Sequence, residues 1–296
     1  MISVNMKRDV ALVLSSGGAR GFAHIGVIKV LEQQGYNIRS VAGTSMGALV
    51  GGIFATGQLA QFEEWVSDLD IREVLRLTDL TISSKGLVKG KKIIEKMKEI
   101  VPDRNIEDLP IPFCAVATDI IRGTEKVFTD GKLFDAIRAS ISIPTVFQPF
   151  KIDSSYFVDG GVVNPVPINR VKRHKNDLLV VVAVNANIPF EKKAVVPDES
   201  IDNRYLKQIR LIQKKLSNDI PKSKKDDIGI FNLNNRSISI MLNQIALLTF
   251  GNHRIDIMVN ISKDAFGTYD FYKAREIIQE GEAAALRALS QFSKKQ

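Results

Sequence analysis

Val10-Ala11-Leu12-Val13-Leu14-Ser15-Ser16-Gly17-Gly18-Ala19-Arg20-Gly21 is a strand-sized apolar run that breaks into small residues, with a helical period directly behind it. Ile25, Ile28 and Leu31 step by three, and Gly35 stands where a helix C-terminal cap belongs. The same order then recurs. A short strand around Arg39 to Ala42 runs into Gly43-Thr44-Ser45-Met46-Gly47, and a Gly- and Ala-rich helix from Ala48 to Thr56 stops at Gly57. Strand, tight loop, helix, strand, tight turn, helix predicts an α/β fold: a three-layer sandwich with a mostly parallel central sheet covered on both faces.

Outward from this core, amphipathic periods predict helices at 59–69 and 90–100, and strands follow at Phe113 to Thr118 and Lys126 to Thr129. A helix from Lys132 to Ser140 must stop before Pro144. Ser155 to Val158 leads as a short strand into Asp159-Gly160-Gly161, and Leu178 to Val184 has the unbroken apolar character of a strand buried on both faces. From Glu191 to Asn235 the chain turns polar, and this stretch reads as an insertion or lid-like excursion from one domain spanning residues 1–296. A helix at 238–250, a strand at Ile255 to Ile261 and a final helix from about Asp270 complete the pattern.

With 296 residues, a single α/β domain buries roughly three quarters of its extended surface and needs no staple. Hydrophobic residues at 45% and charged residues at 25% exclude a disordered, collagen-like or coiled-coil chain. Cys114 is the sole cysteine, which excludes an internal disulfide and a Cys-rich zinc site and suits a reducing compartment. No apolar run approaches the ~18 residues of a membrane span. Lys7 and Arg8 before Val10–Leu14 mimic a signal peptide, but the apolar run falls short of the ~7–15 residues required. The expected location is cytoplasmic, with peripheral contact to a membrane.

The net charge of +8 favours an anionic partner. Nucleic acid is disfavoured, because no recognition motif and no stacking platform interleaved with basic residues is present. An anionic membrane surface remains. Residues 204–216 contain no acid, and on a helical wheel Tyr205, Leu206, Ile209, Ile212 and Leu216 share one sector opposite Arg204, Lys207, Arg210, Lys214 and Lys215. Such a helix either docks on the core by its apolar stripe or lies on anionic head groups.

Gly43-x-Ser45-x-Gly47 between a strand and a helix has the form of a nucleophile elbow, where a serine sits on a strained turn and glycines remove colliding Cβ atoms. The helix behind it points its positive end at the oxygen. The rival reading is an ordinary strand-to-helix turn with a capping serine. The Ser16–Gly21 loop fails as a dinucleotide fingerprint, since Ser16 replaces the first glycine and no acidic residue follows at the second strand; it also lacks the Gly-Lys-Ser/Thr of a P-loop. What remains is an oxyanion hole built from the Gly17 and Gly18 N–H groups.

A base must accompany the serine. Of the three histidines, His24 falls inside the first helix and His174 among cations, leaving His253 as the plausible member of a Ser-His-Asp triad. Asp159, held at a rigid turn before Asn164-Pro165, is the alternative, although an aspartate near pKa 4 is a feeble base unless the pair is preorganised in a dry cleft.

Taken in order, the Gly-rich loop with Arg20, the Gly-Thr-Ser-Met-Gly elbow and Asp-Gly-Gly resemble the patatin-like phospholipase family, including catalytic domains of the neuropathy target esterase type, from Val10 to about Asn187. The resemblance implies acyl ester hydrolysis of lipids by a Ser-Asp dyad without histidine, with no metal or cofactor. By position, Ser45 is the nucleophile, Asp159 the base, Gly17 and Gly18 the oxyanion donors, and Arg20 the basic residue of their loop. Gly43 and Gly47 frame the elbow, and Gly160 and Gly161 the turn after the base. The chain departs at Ser16, where the family usually has glycine; a positive φ there would cost about 1 kcal/mol. The alternative from another class is a lipid- or nucleotide-binding regulatory protein that uses the same loops with little turnover.

Overall fold

The structure, a computed structural model, describes residues 8–83, 86–144, 146–190 and 230–294. Two compact units divide the chain, one of Met1–Phe190 with Met241–Gln296 and one of Glu191–Ile240. The basic helix read at 204–216 lies outside the described residues.

The first unit begins with β1 (Asp9–Leu14), a short 3₁₀ turn at Gly18–Phe22 and α1 (Ala23–Gln33), then β2 (Asn37–Thr44) and α2 (Met46–Ala55). There follow α3 (Leu59–Ser67), α4 (Ile71–Leu77), a hairpin of β3 (Leu80–Ser83) and β4 (Gly86–Val88), and α5 (Lys91–Ile100). After these come β5 (Phe113–Asp119), β6 (Thr124–Phe128), α6 (Leu133–Ser140), β7 (Phe150–Ile152), β8 (Ser155–Asp159) and β9 (Leu178–Ala186). The helix α7 (Ile230–Gly251), which belongs to this unit from Met241 onward, β10 (Ile257–Ser262) and α8 (Ala274–Ser293) close the order.

The main sheet runs β10-β9-β1-β2-β5-β8-β7, with β6 also paired to β5. β10, β9, β1, β2 and β5 are parallel, whereas β6 and β8 are antiparallel to β5. The mostly parallel α/β sandwich is therefore as the sequence predicts, with an antiparallel margin. Its central strands alternate between two cores. Val10, Leu12 and Leu14 of β1 and Val180, Val182 and Val184 of β9 join the larger one, with Ile25 and Ile28 of α1, Ile53 of α2 and Ile277 of α8. Ala11, Val13, Leu179 and Val181 face the other side, where Val166, Ile168 and Val171 pack with Ala246 and Phe250 of α7. Burial on both faces is why β1 and β9 read as continuous apolar runs.

Three elements escaped the periodicity, all short: α4, the β3–β4 hairpin and β7. A local signal marked α4, since Asp70 caps it by accepting the Glu73 N–H at 2.7 Å, an acid three residues ahead of another. α7 begins at Ile230, well before the expected 238. Asn232, Asn234 and Asn235 obscured its start, because asparagine favours caps and turns over helix interiors.

The chain leaves β1 to build β2 and β5 on one side and returns to place β9 on the other. Ligands bind beyond the C-terminal strand ends at such a reversal. The register sets the depth of the groups there. Leu14 pairs with Gly43, Thr44 with Val116, and Ala117 with Asp159, so Ser45, next after Thr44, lies level with Asp159 across the intervening β5.

Candidate active site

Ser45 has φ 57° and ψ −125°, a positive φ that a non-glycine residue adopts only under strain, of the order of 1–3 kcal/mol. The turn persists because the space around it permits nothing larger. A Cβ on Gly43 would lie 2.3 Å from the Gly47 carbonyl oxygen, and one on Gly47 2.2 Å from that of Leu14. The elbow thus wedges its own backbone between β1 and the start of α2. Helix α2 begins at Met46, so its positive end meets Ser45 directly. The Ser45 N–H donates to Ser140 Oγ at 2.8 Å, and the buried Ser45 Oγ donates to Asp159 Oδ2 at 2.5 Å.

Asp159 ends β8 and caps the 3₁₀ turn Gly160–Val162, its Oδ1 accepting the Gly161 N–H at 2.7 Å. Both carboxylate oxygens are therefore engaged and the plane of the group is fixed. A Cβ on Gly160 would sit 2.1 Å from the Val116 carbonyl, so the chain can turn this close to β5 only through glycine. Burial raises the Asp159 pKa from 3.8 to about 6, and the hydrogen bonds from Ser45 and Gly161 oppose that rise only in part. The carboxylate is ionised at neutral pH and much more basic than an exposed aspartate.

The Ser15–Arg20 loop borders both groups. A Cβ on Gly21 would meet Met46 Cβ at 2.3 Å, and one on Gly161 would approach Ser16 Oγ at 3.3 Å. The N–H groups of Ser15, Ser16 and Ala19 donate to the carbonyls of Val182, Pro165 and Thr268. Those of Gly17 and Gly18, between them, have no acceptor among the described residues. Gly18 has φ 57°, whereas Ser16 is not among the residues with positive φ, so the serine carries no left-handed strain.

Arg20 is buried and donates to Asn185 Oδ1 at 2.9 Å, to the Phe266 carbonyl at 2.8 Å and to Thr268 Oγ1 at 3.4 Å. Burial lowers its pKa, and the charges of Asp270 and Asp264 counter that shift. Its contacts tie the glycine loop to β9 and to the segment after β10. His24 is fully buried, its Nε2 placed 2.9 Å from the Ser15 carbonyl, and burial pushes its pKa down to about 4, so it is neutral and donates there.

His253 bonds through Nδ1 to the Thr249 carbonyl at 2.9 Å, ahead of the N-terminal end of β10. His174 precedes β9 in the same way. In a parallel sheet these positions lie at the edge opposite the one where β2 delivers Ser45. The triad alternative has no histidine at the serine. The residues that the motifs missed are Ser140, Asn185 and Thr268; each is a lone small polar residue whose partner is far away in sequence.

A family model described as Patatin-like phospholipase matches residues 12–171, the stretch that holds Gly17, Gly18, Ser45 and Asp159. An uncharacterized NTE family protein of Mycobacterium tuberculosis is 32% identical over 332 aligned residues, covering 96% of this chain and 92% of that protein. The chain belongs to the patatin-like phospholipase family. It thereby joins a family of lipid ester hydrolases. Patatin-like phospholipase domain-containing protein 7 of Rattus norvegicus is 34% identical over 165 residues, which is 53% of this chain but 12% of that much longer protein. A solved structure, VipD from Legionella pneumophila, is similar at a TM-score of 0.48 and 14% identity over 97% of this chain and 67% of that one.

The raised Asp159 pKa has a consequence for stability. Between the unfolded value of 3.8 and the folded value of about 6, the folded state holds a proton that the unfolded state has released, so stability falls as pH rises through this window. Asp159→Asn, which carries no charge to bury, should therefore melt higher than the wild type at neutral pH, by on the order of 2–5 °C. The difference should shrink towards zero below about pH 4. Calorimetry across this range checks it, and a variant that melts lower at neutral pH than at acid pH relative to wild type would contradict the assignment.

Proposed function

We propose that the protein is a serine acyl hydrolase of lipid esters, of phospholipase A or lysophospholipase type, working through a Ser45–Asp159 dyad and an acyl-enzyme. The observation that carries this reading is the buried 2.5 Å hydrogen bond from Ser45 Oγ to Asp159 Oδ2. Ser45 Oγ attacks the ester carbonyl while its proton passes to Asp159. The resulting oxyanion is received by the Gly17 and Gly18 N–H groups, which need no reorganisation to donate. Collapse breaks the bond to the alcohol, which leaves with the proton from Asp159. Water then attacks the acyl-enzyme, Asp159 takes a proton from it, and release of the fatty acid returns that proton to Ser45.

The substrate class is supported by the family and by relatives that carry the name neuropathy target esterase. The charge of +8 supports peripheral contact with anionic lipid in a cytoplasmic setting. We read residues 191–235 as an excursion from this one catalytic domain.

Ser45→Ala should abolish hydrolysis of a p-nitrophenyl ester and fluorophosphonate labelling while the protein still melts cooperatively. Asp159→Asn should lower kcat by about a thousandfold or more, since the amide cannot take the proton. His253→Ala should stay within a few-fold of wild type; a loss comparable to that of Asp159→Asn would restore a triad. Lipid binding without turnover by the wild type would favour the regulatory alternative.

The pH profile follows from the same group. Asp159 must be ionised to act, so kcat/KM should fall tenfold per pH unit below about 6. A profile flat down to about pH 4 would remove Asp159 from the role.

Arg20 serves as an anchor of the oxyanion loop. Arg20→Ala should lower kcat by roughly tenfold to a hundredfold with KM changed far less. A rise in KM at constant kcat would mark substrate attraction instead.

A further inference from the structure

The groups proposed for the chemistry ride on β2 and β8 with β5 between them, so two backbones must be held in register across a third strand. The C-terminal end of α6 touches all three. Ser140 Oγ accepts the Ser45 N–H at 2.8 Å and donates its own proton to the Val116 carbonyl of β5 at 2.6 Å. Two residues on, the Ser142 carbonyl accepts the Asp159 N–H at 2.9 Å. Ser142 is itself fixed: its hydroxyl receives a bond from an Arg138 Nη1 at 2.6 Å and returns one to the Arg138 carbonyl at 2.7 Å. The Arg138 guanidinium also donates to the carbonyls of Lys89 and Gln148 and lies against the rings of Phe147 and Phe150. Ser140 and Ser142 are both fully buried.

From this arrangement we propose that Ser140 is a positioning residue for the nucleophile, fixing the backbone of the strained turn so that the Ser45 hydroxyl stays within reach of Asp159. The role rests on the dyad reading above. A peptide held at positive φ relaxes when its restraint is removed, and a buried N–H without an acceptor turns towards another one. Either movement swings the Ser45 Cβ–Oγ bond, and a misplacement of about 1 Å costs about a hundredfold in rate. Ser140 acts on the nucleophile through the backbone alone, so its loss should fall on kcat rather than on KM.

The test compares wild type, Ser140→Ala, Ser140→Thr and Ser45→Ala, each as the full chain, by ester kinetics, rate of fluorophosphonate labelling and thermal melting. Ser140→Ala should fold, lose roughly tenfold to a hundredfold in kcat and in labelling rate, and keep KM within about twofold. Ser140→Thr, which retains the hydroxyl, should regain most of the lost kcat. A folded Ser140→Ala with unchanged kcat overturns the proposal, as does a loss confined to KM. Should Ser140→Ala fail to fold, Ser140→Cys makes the same decision, because sulfur fills the space but accepts poorly; wild-type kcat in that variant also overturns the role. Activity surviving in Ser45→Ala would sink the dyad reading itself, whereas an inactive Ser45→Ala beside a fully active Ser140→Ala removes Ser140 alone.

Discussion

A carboxylate of ordinary acidity does not take a proton from a serine hydroxyl at a useful rate, and the contact between Ser45 and Asp159 exists in a setting that changes the carboxylate. Burial strips Asp159 of water and lifts its pKa to about 6, while the two bonds it accepts keep it ionised at neutral pH. Without burial Asp159 would be too weak a base for the role proposed for it. Without the hydrogen bonds it would be further protonated. The serine turn on one side and the Gly160–Val162 turn on the other hold the carboxylate in this intermediate condition.

The topology explains how the burial is achieved. A strand parallel to β2 would bring its last residue to the open edge of the sheet. β8 is antiparallel to β5, so it enters from that edge and carries Asp159 inward to the level of Ala117. Gly160 then lets the chain turn against the Val116 carbonyl, where any side chain would collide. Ser45 is delivered the conventional way, at the C-terminal end of a parallel strand and the start of a helix. One member of the pair thus comes from each strand direction, and β5 is the common reference for both.

How much of this was legible in the sequence depended on how local each constraint is. The elbow could be read because strand, glycines, serine and helix are contiguous, and the collisions at Gly43 and Gly47 arise within that same unit and its neighbour β1. The parallel core could be read because β1 and β9 bury both faces. Ser140 could not, since a serine at a helix end carries no mark of a bond to a residue 95 positions away. His253 stayed eligible in the sequence because composition carries no information about sheet edges; the parallel order placed it at the far one. Ser16 looked like a strained substitution, and its backbone turned out to need no positive φ.

The loop proposed as the oxyanion hole is held by groups beyond the stretch that the family model matches. Gly17 and Gly18 lie within residues 12–171, yet the groups that hold their loop do not. Asn185 takes the Arg20 Nε and gives its amide to the Ser16 carbonyl, Thr268 receives the Ala19 N–H and part of the guanidinium, and Phe266 receives the remainder. These partners sit on β9 and after β10, on the far side of β1 from Ser45. The loop is stretched between two halves of the sheet, with the elbow and Asp159 on one flank and Arg20 pulled towards the other. The Gly17 and Gly18 N–H groups, without acceptors among the described residues, lie in the middle of this span, and the Ser16 and Ala19 N–H bonds on either side hold the backbone in place. This is the condition in which backbone amides remain available for a charge that arises only during a reaction.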